Sequence, residues 1–111
     1  MPHCIIEYSQ DIEAKPTSLI NAVFQGALKS QLFEENHIKT RTIAFDNYQV
    51  GALKESFIHV TARILSGRTV EQRSMLSQSI LTTLAELNLS SVTMTVEVVE
   101  MERDSYAKKI T

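Results

Sequence analysis

Apolar and polar positions alternate along three stretches of the chain, which is the pattern of half-buried β-strands. The stretches run from His3 to Tyr8, from Ser56 to Leu65 and from Val92 to Val98. A fourth stretch, from Lys39 to Val50, is rich in Thr, Ile, Phe and Tyr and is also predicted to be a strand. In the first and third of the four strands, the alternation places on one face the side chains of Cys4, Ile6, Tyr8, Ile58, Val60, Ala62 and Ile64.

Two further segments carry apolar residues at helical spacing. The first begins at Pro16, a residue that suits the first turn of a helix, and Gly26 lowers its helical propensity slightly. The second begins after Thr69, with Gln72 at the spacing of a capping box, and Asn88 suits its end. The apolar positions are Leu19, Ile20, Val23, Phe24, Ala27 and Leu28 in the first helix, and Leu76, Ile80, Leu84 and Leu87 in the second.

The predicted elements follow the order strand–helix–strand twice. Each helix is long enough to cross over and bring its two strands parallel. A four-stranded mixed sheet with both helices on one face makes a two-layer α/β sandwich of the α+β type. The 111 residues predict one domain, 1–111, with halves of about 1–50 and 51–111. Ile5 and Phe57 lie on the opposite sheet face, so we expect an oligomer built sheet to sheet.

Composition narrows the classes of partner. The formal net charge is -2 and the pI is about 5.9, which disfavours general binding to nucleic acid or to membrane surfaces. Cys4 is the only cysteine, so no internal disulfide forms and the thiol is expected in the core. His3, His37 and His59 lack ligand spacing, and no metal site is expected. No signal peptide or membrane span is visible, so the expected location is the cytoplasm.

The second residue raises a chemical possibility. A starting methionine followed by a small residue such as proline is usually removed in the cell. The chain would then begin at Pro2, with a free secondary amine directly ahead of a buried strand. Without the buried strand directly behind it, Pro2 would be read as an ordinary terminal residue.

Several segments together resemble the tautomerase superfamily, and within it the 5-carboxymethyl-2-hydroxymuconate isomerase family. They are PHCIIEYS, IKTR, FIHVTARILSGRTVEQR and VTMTVEVVEMERDSYAKK, which run through most of the chain, with the first helix the weakest part. The resemblance implies a homotrimer with active sites near the subunit interfaces. It also implies a cofactor-free keto–enol isomerisation of an unsaturated carboxylated 2-hydroxy or 2-oxo acid, in which the N-terminal proline shuttles a proton.

The resemblance also implies roles for four residues. Pro2 matches the catalytic proline, and Arg68 matches an active-site arginine at the head of the second helix. Lys39 falls where the family usually has another arginine, and Arg41 follows two residues later, so both are candidates for substrate binding. Lysine cannot grip a carboxylate with two parallel hydrogen bonds. Either Lys39 substitutes more loosely, or Arg41 carries the interaction, or the substrate differs, for example a phenylpyruvate-type enol or the substrate of a related hydrolytic reaction.

These residue types suit the implied chemistry. A chain-terminal amine has a pKa nearer neutrality than most side chains, and burial and nearby cations lower the more basic pKa of proline. Cations that face a dienolate also stabilise its charge. The alternative is a non-catalytic trimeric protein of the same fold that binds a partner or a small acid. In that case Arg68 is a solvated residue of the helix, and Lys39 and Arg41 are surface charges.

Overall fold

The computed structural model describes residues 1–111. Its elements follow the predicted order of strand–helix–strand, repeated once. Two short 3₁₀ turns, Glu35–His37 and Arg103–Ser105, precede the second strand and follow the last. The main elements are β1 (His3–Ser9), α1 (Pro16–Lys29), β2 (Lys39–Phe45), β3 (Ser56–Leu65), α2 (Val70–Ala85) and β4 (Val92–Met101).

The four strands form one mixed sheet in the order β2-β1-β3-β4. Within each half the strands are parallel, β1 with β2 and β3 with β4, because a helix carries the chain back across the sheet. The two halves meet through the antiparallel pair β1 and β3 at the centre. The predicted two-layer α+β sandwich is therefore confirmed.

One predicted strand is too long. The residue pattern predicts a strand as far as Val50, but β2 ends at Phe45. Asp46 and Asn47 follow, and these residue types favour turns over strands. Beyond them Val50 forms only an isolated bridge to Leu53, and Gly51 between the two takes a positive φ of 61°.

The core lies between the sheet and the two helices. The inward side chains of β1 and β3 are buried as the alternation predicted, and α1 and α2 each contribute one face. The helices pack closely at Gly26, where a Cβ would come within 2.6 Å of the Ile80 Cα. The buried apolar residues are Cys4, Ile6, Tyr8, Leu19, Ala22, Val23, Ala27, Ile58, Val60, Ala62, Ile64, Leu76, Ile80 and Leu84.

The opposite sheet face, here called the outer face, has no helix over it. Strand pairing places Ile5 of β1 beside Arg41 of β2, and His59 of β3 beside Thr95 of β4. The face mixes apolar and polar side chains. Ile43 is half exposed there, with 50% of its surface accessible. Toward β4, the ring of His59 lies 2.6 Å from both the Thr95 hydroxyl and a carboxylate oxygen of Glu97.

Candidate active site

Pro2 is the residue immediately before β1, which is one of the two central strands of the sheet. Its side chain is fully buried, and its carbonyl accepts a hydrogen bond of 3.1 Å from the backbone N–H of Lys39. Because β1 is paired on both sides, the start of the chain is held by its neighbours and does not fray. The backbone therefore fixes the place where a Pro2 amine would stand.

Arg68 is brought to the same end of the molecule by the turn between β3 and α2. Gly67 in that turn has a φ of 124°, which a residue with a side chain rarely adopts. Thr69 then caps α2 through the predicted capping box with Gln72. The Arg68 guanidinium donates a 2.6 Å hydrogen bond to the carbonyl of Leu32, in the connection between α1 and β2. The guanidinium is thus held in place from a second part of the chain.

An aromatic ring also faces this guanidinium. The Cζ atom of Arg68 lies 5.6 Å from the centre of the Phe33 ring, which is within the range of a cation–π contact. Such a contact orients the planar group without consuming all of its hydrogen-bond donors. Arg68 can therefore still donate to an anion.

Positive charge converges on the amino terminus. Partial burial lowers the pKa of the Met1 amino group, and the positive charges of Lys39 and Arg68 lower it further, followed by those of Lys108 and Arg103. Both causes favour the neutral amine. The same cations form a region where an anion would be stabilised. The surroundings of the amine thus favour a neutral base beside an anionic ligand.

The two candidate binding residues of β2 lie in different surroundings. The ammonium of Lys39 is 2.6 Å from the Met1 sulfur. Arg41 is exposed, and its Nη1 lies 3.2 Å from Nδ1 of His3. The structure therefore brings Lys39 to Pro2 at the amino terminus, on which the charge of Arg68 also acts, and it puts Arg41 beside His3.

The sequence pattern gives His3 no ligand spacing and predicts no role for it or for Tyr106. In the structure, Nε2 of His3 lies 2.8 Å from the Tyr106 hydroxyl. Arg41 can only donate to Nδ1, so Nδ1 accepts and Nε2 carries the proton of a neutral imidazole. Burial, followed by the charges of Arg41 and Lys39, lowers the pKa of His3, in agreement with this neutral form. The one sequence feature that could have indicated this contact is Tyr106 itself, a lone aromatic residue in a polar, basic tail.

Cys4 lies beside the site in sequence but does not share its chemistry. Its side chain is inaccessible to solvent, and burial raises the pKa of the thiol to about 11. The thiolate that would act as a nucleophile is therefore scarce near neutral pH. The prediction that Cys4 belongs to the core is confirmed.

None of the four surface cavities of the chain is lined by Pro2, Lys39 or Arg68. The candidate site therefore does not coincide with any cavity of the single chain. No group of three or more His, Cys, Asp and Glu side chains is placed to hold a metal ion. No helix combines the length and the apolar character needed to cross a membrane.

Comparison with solved structures shows a shared fold. A 5-carboxymethyl-2-hydroxymuconate isomerase from Deinococcus radiodurans R1 superposes with a TM-score of 0.81 at 21% identity, covering 99% of this chain and 90% of that chain. A 5-carboxymethyl-2-hydroxymuconate delta-isomerase gives 0.81 at 16% identity, covering 100% and 89%. A fused 4-OT protein described as a symmetric trimer gives 0.80 at 15% identity, covering 96% and 90%.

Comparison at the level of sequence identifies the family. No curated protein sequence matches the chain. The model of the family described as 5-carboxymethyl-2-hydroxymuconate isomerase matches residues 2–110, which is nearly the whole chain and begins at Pro2. The chain therefore belongs to the 5-carboxymethyl-2-hydroxymuconate isomerase family, and the protein is an isomerase of the tautomerase superfamily.

Proposed function

We propose that this isomerase interconverts the enol and keto forms of an unsaturated carboxylated 2-hydroxy or 2-oxo acid, such as 5-carboxymethyl-2-hydroxymuconate, with Pro2 as the catalytic base and acid. The observation that carries the proposal is the amino terminus, which is held at the start of the central strand β1 beside Lys39 and Arg68. Partial burial and the charges of Lys39 and Arg68 lower the pKa of the amino group at this terminus.

In the proposed reaction, the neutral Pro2 amine removes the hydroxyl proton of the dienol. The resulting dienolate carries its negative charge along the conjugated system. The ammonium then returns the proton to a carbon of that system, which forms the ketone and regenerates the amine. One group can serve in both steps when its pKa lies near the working pH. No other reactant is consumed.

Arg68 is proposed to stabilise the dienolate or hold a carboxylate next to it. Its planar group can donate two parallel hydrogen bonds, and it stands directly before the N-terminus of α2, where the helix dipole also favours negative charge. Lys39 is proposed to pair with a carboxylate as a point charge. Each donor aimed at developing charge typically lowers the barrier by about 3–4 kcal/mol.

This mechanism requires that Met1 be absent from the mature chain. While Met1 is attached, the nitrogen of Pro2 is part of a peptide bond and is not basic. The sulfur of Met1 also accepts a contact from the Lys39 ammonium. Removal of Met1 would therefore create the amine and free the lysine at the same time.

The proposal includes self-association. The outer face is not covered by either helix and carries exposed apolar side chains such as Ile43. Pro2, Lys39 and Arg68 line no cavity of the single chain, and a second copy could complete a binding site around them. A symmetric trimer, as described for the fused 4-OT relative of the same fold, fits both features.

The test is an ultraviolet assay of native, untagged protein with 5-carboxymethyl-2-hydroxymuconate and with the enol of phenylpyruvate. Pro2→Ala is compared with Pro16→Ala, a change at the only other proline, which is exposed in the first turn of α1. Intact mass must show that methionine is absent from every variant. Pro2→Ala should lose about 10²-fold or more, the scale of a general acid–base group, while Pro16→Ala keeps its activity.

Two outcomes would contradict the proposal. Equal activity of Pro2→Ala and the native protein would exclude the amine as catalyst. Inactivity of the native protein on every enol, together with tight binding of a small carboxylate, would instead favour the non-catalytic binding protein. Activity confined to the enol of phenylpyruvate would keep the mechanism and change the substrate.

The binding roles of β2 are tested separately. Lys39→Met should raise KM more than Arg41→Met, because the charge of Lys39 acts on the amino terminus whereas Arg41 is engaged with His3. Lys39→Arg should restore binding, since it supplies the same charge with an additional donor. A larger effect of Arg41→Met would transfer the carboxylate contact to Arg41.

A further inference from the structure

The segment that follows β4 turns back toward the proposed site. Arg103 anchors it to the turn before α2. The Arg103 backbone N–H donates to the Ser66 hydroxyl at 3.2 Å, and its guanidinium donates twice to the Ser66 carbonyl, at 3.2 and 3.1 Å. Ser66 stands two residues before Arg68. The tail is thus attached to the same turn that positions the proposed anion-binding arginine.

A second anchor lies next to the proposed catalytic amine. The Tyr106 hydroxyl accepts a 2.8 Å hydrogen bond from His3, whose tautomer is set by Arg41. The two rings also meet edge to face, with their centres 6.0 Å apart. Tyr106 is the only partly buried residue between Glu102 and Thr111. Because His3 directly follows Pro2, this contact holds the tail one residue from the amine.

The tail continues from this anchor into two lysines. Lys108 is two residues beyond Tyr106, so their Cα atoms are at most about 7 Å apart. The charges of Lys108 and Arg103 both contribute to lowering the pKa of the amino terminus. Arg103 is already engaged with Ser66. Lys108 has no hydrogen-bond or salt-bridge partner in the chain, so its ammonium is free to bind an anion.

We propose that the Tyr106–His3 contact holds the C-terminal segment as a strap beside Pro2, and that Lys108 on this strap binds a further carboxylate of the substrate. Tyr106 and His3 are positioning residues, and Lys108 determines specificity for acids with several carboxylates. The inference rests on the proposed function of Pro2 and extends it to the choice of substrate.

The anchors explain how an exposed lysine could contribute to specificity. A lysine on a free tail gains little from pairing with an anion, because ordering its long side chain and the tail costs entropy. Two attachment points remove most of the backbone part of that cost before the substrate arrives. An enol with one carboxylate can be held by Arg68 and Lys39 alone, whereas a substrate with several carboxylates needs an additional cation.

The experiment compares Lys108→Met and Tyr106→Phe with Lys109→Met, which removes the same charge from the adjacent position. Tyr106→Phe keeps the ring and removes only the hydroxyl. For 5-carboxymethyl-2-hydroxymuconate, Lys108→Met should raise KM about 10-fold or more, the scale of a lost hydrogen bond between charged groups, with little change in kcat. Tyr106→Phe should act in the same direction. For the same substrate, Lys109→Met should keep KM within about 3-fold of the native value. With the enol of phenylpyruvate, all three variants should keep KM within the same limit.

A second readout does not depend on turnover. The rate at which iodoacetamide, a neutral reagent, alkylates the Pro2 amine is followed against pH by mass spectrometry of the N-terminal peptide. The midpoint should move to higher pH in Lys108→Met and Tyr106→Phe, since a cation near the amine is lost or displaced. It should not move in Lys109→Met. The inaccessible Cys4 thiol reports that the fold is intact if it remains unmodified.

The strap would be refuted if Lys108→Met and Lys109→Met gave the same KM and the same alkylation midpoint. An equal loss on both substrates would also refute the specificity role. These outcomes are separate from failure of the proposed function, which is judged by Pro2→Ala. If Pro2→Ala keeps full activity, the catalytic proposal fails, while the alkylation midpoints still decide whether the strap lies beside the amine.

Discussion

Gly26 marks the closest approach of α1 and α2, and its replacement by alanine tests how the helical layer is held. In isolation, this change should favour the helix by about 1 kcal/mol, because glycine is the poorer helix former. In the folded protein an added Cβ would stand 2.6 Å from the Ile80 Cα and 2.6 Å from the Thr83 hydroxyl oxygen. Carbon atoms in favourable contact are about 3.5–4.0 Å apart. The two helices would therefore have to separate by about 1 Å.

Separation also disturbs two interhelical hydrogen bonds. Ser79 donates to the Gly26 carbonyl at 2.7 Å, and Thr83 donates to the Ala22 carbonyl at 2.7 Å. Overpacking of a core costs about 1–3 kcal/mol, and each weakened hydrogen bond costs up to about 1.5 kcal/mol. After the gain in helix propensity, Gly26→Ala should lower the free energy of unfolding by about 3 kcal/mol. For a protein of this size the melting temperature should fall by roughly 10–20 °C.

The assay is urea and thermal unfolding followed by circular dichroism, at one protein concentration. Asn21→Ala is the matched control, since Asn21 is an exposed residue of the same helix and the change should be neutral or slightly stabilising. If Gly26→Ala proved as stable as the native protein or more stable, propensity would outweigh packing. The close approach of the helices would then not be a property of the folded state.

Four further changes test other parts of the molecule. Arg68→Met should lower kcat about 10²–10³-fold in steady-state assays, and Arg68→Lys should recover only part of the loss. An unchanged kcat in Arg68→Met would contradict a role of Arg68 in catalysis. Thr69→Ala should cost about 1 kcal/mol in urea unfolding, because it removes the side-chain acceptor of the capping box, and an unchanged midpoint would contradict that role. A thiol reagent should modify Cys4 only in denaturant; rapid reaction of the native protein would show that the core opens. The pKa of His3 is lower in the folded state than its usual value of about 6.5. The neutral form of His3 therefore contributes stability above about pH 6.5, and this contribution is lost as the pH falls through the folded-state pKa. His3→Gln should flatten this part of the dependence of the free energy of unfolding on pH.

Local patterns were sufficient for most of the fold. The strict alternation from Ser56 to Leu65 predicted β3 residue for residue, because a strand with one buried face repeats every second position. Thr69 and Gln72 marked the beginning of α2 through a capping motif that lies within four residues. The second strand was overextended because Asp46 and Asn47 end β2 through turn preference, while Tyr48 and Val50 beyond them still resemble strand residues.

The sequence by itself predicted which residues are candidates for the chemistry. The order of the chain and a family resemblance point to Pro2 and Arg68, and the family match covers residues 2–110. The sequence could not show that Lys39 reaches the amino terminus while Arg41 turns to His3. Both stand on the same face of one strand, and only the residues that the fold brings beside each position decide what each side chain meets.

Contacts between distant parts of the chain were decided only by the tertiary structure. Tyr106 and His3 are separated by 103 positions, and no local pattern links them. Gly26 looked like a weak point of α1, and the fold shows it as the place where α2 leaves no room for a side chain. The physical reason is the same in both cases. Propensity and periodicity act over a few residues, whereas hydrogen bonds and packing between elements depend on which surfaces the folded chain brings together.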